Sequence, residues 1–80
     1  MTKAEVLKLS PKYLKTFLPI LKDSVVENLK DIVQKMLDKL EDDYKDNYTD
    51  DYFKKAEELK EKFEVIDNEL YERALRDWYE

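Results

Sequence analysis

Apolar residues recur along the C-terminal part of the chain at Tyr52, Ala56, Leu59, Phe63, Ile66, Leu70, Ala74 and Trp78. Steps of three and four place them on one helical face, and charged residues such as Lys54, Glu57, Lys60, Glu61 and Lys62 fill the positions between. No Gly or Pro interrupts the pattern, so the spacing predicts one helix over 50–79, with a seam roughly 40 Å long. Such a helix draws most of its stability from burial of the apolar face and requires a partner element.

A second stripe supplies one. Leu21, Val25, Val26, Leu29, Ile32, Val33, Met36, Leu37 and Leu40 span about 160° of a helix predicted over 17–43, wider than a two-helix seam needs. Thr16 is the expected N-cap, which places Pro19 in the first turn, where its missing amide has no helical partner to lose. Ser24 and Glu27 offer a rival capping box. Upstream, Thr2 and Glu5 form a capping box, Met1 and Val6 are spaced as a hydrophobic staple, and Ser10-Pro11 reads as an N-cap followed by N1. The N-terminal segment, 1–18, is therefore read as short helical pieces.

Residues 44–49 lie between the two long helices. Asp, Asn and Thr in this stretch favour caps and turns. Asn47 is expected in a left-handed C-cap, and Thr49 as the N-cap of the last helix. The competing pattern is Leu40, Tyr44, Tyr48, Tyr52 and Ala56, each four apart, which would continue one helix through the turn. A single helix of that length would need sustained heptads and a coiled-coil partner, so the hairpin is preferred. At its C-terminal end the last helix widens its apolar face with Tyr71, Leu75, Trp78 and Tyr79. Leu7, Leu9, Tyr13, Leu14 and Phe17 are expected to cover that widening.

The fold class read from these patterns is all-α: an antiparallel hairpin of two long helices closed by the N-terminal segment into a three-helix bundle. The expected core is Val26, Leu29, Val33, Met36, Leu40, Ala56, Leu59, Phe63, Ile66, Leu70 and Trp78. The breadth of the 25–37 face also admits a homodimer.

Composition narrows the chemistry. Eighty residues make one domain with little interior. With no Cys, His or Gly, the chain has no disulfide, no imidazole base or ligand, and no glycine-rich phosphate loop. The expectation is a protein without catalytic activity, cofactor or metal. A formal charge of −5 with 44% charged and 42% hydrophobic residues fits a folded helical domain. No stretch is apolar enough to span a membrane, and Met1-Thr2-Lys3-Ala4-Glu5 does not open a signal peptide, so a cytoplasmic location, or one inside a host cell, is expected.

Charge is divided along the chain. Residues 41–51 carry six acids against Lys45, whereas the first 22 residues carry five lysines against Glu5. Glu41, Asp42, Asp43, Tyr44, Asp46, Tyr48, Asp50, Asp51 and Tyr52 form the candidate partner-binding set. Carboxylates interleaved with tyrosines can occupy a basic, nucleic-acid-binding surface of another protein, placing negative charge where phosphates would sit. The alternative is a structural adaptor or oligomerisation module that binds through the apolar Tyr71–Tyr79 end. Direct binding of nucleic acid or membrane is not expected, since the N-terminal lysines are scattered. Asp46, Asp50 and Glu57 match three positions of a calcium loop, but Tyr48 and Asp51 break the pattern. Glu57, Glu61 and Glu64 read as a solvated face, and Glu69–Arg73 and Glu72–Arg76 as surface i,i+4 pairs. In size and composition the chain is similar to small phage-encoded inhibitors of host proteins, a likeness that no motif carries.

Overall fold

The structure is a computed structural model that describes residues 3–79. Every regular element among them is helical: α1 (Lys3–Leu7), α2 (Pro11–Phe17), a 3₁₀ turn (Leu18–Ile20), α3 (Asp23–Tyr44) and α4 (Asp50–Tyr79). The chain is all-α. The expected Thr2 capping box and Met1 staple lie outside the described residues, as does the side chain of Tyr79.

Helices α3 and α4 run antiparallel. Asp23 meets Arg73 at one end, Lys30 meets Asp67 at 2.8 Å in the middle, and the Tyr44 and Tyr52 rings lie 5.7 Å apart at the other. Val26, Leu29 and Val33 of α3 and Ile66 of α4 are fully buried together with Leu14 and Leu18 from the N-terminal segment. Each such side chain contributes about 1.5–3 kcal/mol on leaving water. Val6 and Leu7 complete this cluster, while Ala56 is buried further along α4. Leu40, Leu59, Phe63 and Leu70 are half-buried. The molecule measures 49 × 25 × 19 Å, so its two ends are well separated.

The start of α3 differs from the expected position. Thr16 does not cap a helix; its hydroxyl donates back to the Lys12 carbonyl at 3.3 Å within α2. Pro19 sits in the 3₁₀ turn, and Leu21 (φ −89°, ψ 151°) and Lys22 (φ −69°, ψ 153°) are extended. These two residues turn the chain so that Leu18 enters the core, and α3 begins only at Asp23. Its N-cap is Lys22, without a side-chain capping bond, so the Ser24 box is not used. Ser10 and Pro11 do take the N-cap and N1 positions of α2, again without a side-chain cap bond.

The N-terminal segment is tied to α4 by two cations that share one helix face. Lys62 is only 6% exposed, and its ammonium donates to the Leu7 carbonyl at 2.6 Å and pairs with Glu58 at 3.2 Å. That carbonyl ends α1 and has no intrahelical donor, so a cation beside it satisfies an orphan acceptor. Eleven residues on, the Arg73 guanidinium donates to four acceptors. They are Glu69 (2.8 Å), the Leu18 carbonyl (2.9 Å), the Leu21 carbonyl (2.6 Å) and the Asp23 carboxylate. Glu69 is itself buried, so Glu69–Arg73 is an interior pair and not the surface pair its spacing suggested. Glu69 first and Asp23 second hold the guanidinium pKa above its ordinary value.

This choice of face overturns the expected closure. The N-terminal segment packs on the Lys62–Ile66–Glu69–Arg73 side of α4. Leu75 and Trp78 lie about 140–160° round the helix from Arg73, on the far side. Trp78 is therefore 83% exposed and Tyr71 65% exposed, and neither they nor Leu75 join the core. Tyr13 is exposed as well, and Met36 is 42% exposed, lining an open groove that Leu7 and Lys8 border but do not fill. Two effects act on this side of α4: Leu14 and Leu18 are fully buried in one cluster with Ile66, and polar groups find partners. The carbonyls of Leu7, Leu18 and Leu21 require donors, and the charged face of α4 supplies them where the apolar face does not.

Candidate functional site

The connection between α3 and α4 is a turn, not a continued helix. Thr49 caps α4 as its sequence suggests: the Tyr52 amide donates to Thr49 Oγ1 at 3.4 Å, and the Phe53 amide to the Thr49 carbonyl at 3.3 Å. Asn47 does not take the left-handed conformation, since no described residue has positive φ. Its amide instead donates to the Tyr44 carbonyl at 2.9 Å, a tight i→i+3 closure that satisfies a terminal carbonyl without a left-handed residue.

Three tyrosines converge on this turn. Tyr44 ends α3, Tyr48 lies in the connection and Tyr52 is in the first turn of α4. The Tyr48 and Tyr52 ring centroids are 4.7 Å apart, and Tyr44 and Tyr52 are 5.7 Å apart, both tilted arrangements that aromatic rings favour. Phe53, absent from the expected set, extends the cluster with an edge-on contact to Tyr52 at 5.2 Å and is exposed.

Asp51 joins the cluster to the helix. The Tyr44 hydroxyl donates to its carboxylate at 2.9 Å, and the Lys55 ammonium pairs with the same oxygen at 3.0 Å. Lys55 also lies 5.9 Å from the centre of the Tyr44 ring. These bonds, Lys55 first and Tyr44 second, pull the Asp51 pKa below 3.8, while Asp51 raises that of Lys55. Lys55 was not legible as part of the site, although its i,i+4 spacing from Asp51 was the available signal.

The other carboxylates are distributed differently. Glu41, Asp42, Asp43, Asp46 and Asp50 are all exposed. Asp42 approaches Lys45 at 3.7 Å, and Glu41, Asp43, Asp46 and Asp50 hold no ion pair among the described residues. The structure thus brings the three tyrosines and Asp51 into one contacting cluster and leaves four carboxylates free around it.

At the opposite end of the molecule, Tyr71, Leu75 and Trp78 form an exposed apolar stripe on α4, spaced four and three residues apart. Glu57, Glu61 and Glu64 are exposed along the middle of the helix. Among the described residues, no three carboxylates stand close enough together to hold a metal ion. No helix among them is long and apolar enough to cross a membrane. Set against known protein families, curated proteins and solved structures, the chain matches none of them.

Proposed function

We propose that this chain is a non-enzymatic protein-binding module, a small inhibitor that blocks a basic, nucleic-acid-binding surface of a partner protein inside the cell. Its scaffold is a three-helix bundle, with the α3–α4 hairpin closed by the N-terminal segment. The contact is made by the acidic turn at 41–52. The observation that supports this reading is the group of four unpaired, exposed carboxylates around a tyrosine cluster fixed by ring contacts and by the Tyr44–Asp51–Lys55 bonds. Tyrosines already packed on one another have less conformational entropy to lose on binding, and they supply contact area beside the free charges.

Charge steering gives the test. Exposed charges are screened beyond about 8 Å at physiological salt. Association with the partner should therefore slow as ionic strength rises, and single-stranded or duplex nucleic acid should compete for the same surface. Salt-independent association, or a partner that binds nucleic acid and this chain together, would count against the proposal.

A second reading is favoured by a separate observation. Trp78, Tyr71 and Leu75 are exposed on one face, and a tryptophan beside a tyrosine is the composition of a binding anchor. On this reading the chain is an adaptor or oligomerisation module that binds through its apolar C-terminal end.

A further inference from the structure

Between α3 and α4, past the end of α1, lies an open groove of about 600 Å³. Leu7, Met36, Leu40 and Leu59 form its floor. Four lysines, Lys8, Lys39, Lys55 and Lys62, surround it against two carboxylates, Asp43 and Glu58. Lys62 is held by Leu7 and Glu58, and Lys55 by Asp51. Lys8, Lys39 and Asp43 hold no ion pair among the described residues, so the unpaired charges of the rim leave an excess of one positive in a molecule that is acidic overall.

The exposed stripe at the far end of α4 has the complementary character. Tyr71, Leu75 and Trp78 present an apolar ridge, and on a helix Glu72 and Asp77 fall on either side of it, about 100–120° away. The ridge rises about 10 Å along the axis, the same rise as the groove wall from Lys55 to Lys62. Ridge and groove cannot meet within one molecule. They lie on a single uninterrupted helix, with Lys55–Lys62 and Tyr71–Trp78 offset by about 24 Å.

We infer that the Tyr71–Leu75–Trp78 ridge of one copy docks into the α3–α4 groove of a second copy, with Glu72 and Asp77 facing Lys8 and Lys39. The inference rests on the adaptor reading of the C-terminal end and names its partner as the same chain. The contact is heterologous: each molecule offers a ridge and a groove on different surfaces, so it propagates into rings or short head-to-tail assemblies. Of the 25–37 face it uses only the exposed Met36, since Val26, Leu29 and Val33 are already covered within one chain.

Light scattering and the emission of Trp78, the single tryptophan, test this together. From micromolar to millimolar protein, the mass of the parent should climb past that of a dimer, with the emission moving to the blue as the indole leaves water. Trp78→Ala and Met36→Glu should each stay monomeric, and the emission of Met36→Glu should not change with concentration. Lys39→Glu, an exposed substitution that leaves the core untouched, should weaken association in the same direction if Met36→Glu does not fold. An equimolar mixture of Trp78→Ala and Met36→Glu retains one intact ridge and one intact groove. It should form a dimer and grow no further. A parent that remains monomeric throughout overturns the inference. So does association that survives both groove variants, or a mixture that stays monomeric. If the parent is monomeric while Trp78→Ala abolishes capture of a different protein, the self-docking inference fails and the adaptor reading stands.

Discussion

The ammonium of Lys62 donates to the carbonyl of Leu7 at 2.6 Å, joining two residues 55 positions apart in the sequence. The bond is buried and closes the last turn of α1 against α4. Lys62→Met keeps the aliphatic stem and removes the donor, leaving the Leu7 carbonyl without a partner. A buried acceptor left unsatisfied costs about 1–3 kcal/mol. In a domain of this size a loss of 1 kcal/mol lowers Tm by about 4–8 °C. Calorimetry should show such a drop, and the amides of Lys8 and Leu9 should lose hydrogen-exchange protection first. An unchanged Tm would mean that the bond holds nothing.

Arg73 makes a sharper case, because its fork meets two carbonyls and two carboxylates at once. An ammonium cannot reproduce that geometry. Arg73→Lys should lose about 2–3 kcal/mol in urea unfolding despite keeping the charge. Equal stability of Arg73→Lys and the parent would show that charge alone, and not the fork, secures the Leu18–Leu21 corner.

Truncation of a buried and of an exposed apolar residue should separate cleanly. Leu29→Ala empties a fully buried site and should cost about 2–5 kcal/mol. Trp78→Ala removes the largest side chain in the protein, yet at an exposed position, and should change stability by less than about 0.5 kcal/mol. A large loss of stability in dilute Trp78→Ala would place that indole in the core after all.

Much of the helical pattern was legible because periodicity reports burial. Val26, Leu29, Val33, Ala56 and Ile66 were expected in the core and lie there. The Thr49 cap and the turn could be read from residue chemistry. The route of the N-terminal segment could not. Three backbone carbonyls that find donors on α4 share in fixing it, and backbone groups leave no mark on side-chain periodicity. Lys62 ends a run of charged residues and Arg73 is spaced i,i+4 from Glu69, so nothing local distinguished them from a solvated face. Pro19 signalled a break near the start of α3 but not its form, since the 3₁₀ turn and extended Leu21–Lys22 depend on what Arg73 binds. The site divides in the same way. The tyrosines and acids were visible as a cluster, whereas the pairing that removes Asp51 from the free carboxylates depends on the fold.

Asp51 should report its own environment in acid. Its folded pKa is depressed by Lys55 and Tyr44, so the contribution of this carboxylate is present above the ordinary value of 3.8 and is lost as pH falls through the lower folded value. An NMR carboxyl titration should find Asp51 below that value, and Lys55→Gln should move it upward by more than Tyr44→Phe does. Identical titration of Asp51 in the parent and in Lys55→Gln would show that the pair does not persist in solution.

On the proposed function, the free carboxylates of the turn make the contact with a partner. The direct measurement is capture from a lysate of the cells in which the protein acts, comparing the parent with a variant carrying Glu41→Gln, Asp43→Asn, Asp46→Asn and Asp50→Asn together. Asp51 is left in place because Tyr44 and Lys55 depend on it. All four altered residues are exposed, so the variant should melt within a few degrees of the parent. The parent should retain a basic, nucleic-acid-binding protein that the variant releases at the same salt concentration. Retention of the same protein by both, at equal strength and equal salt, would contradict it.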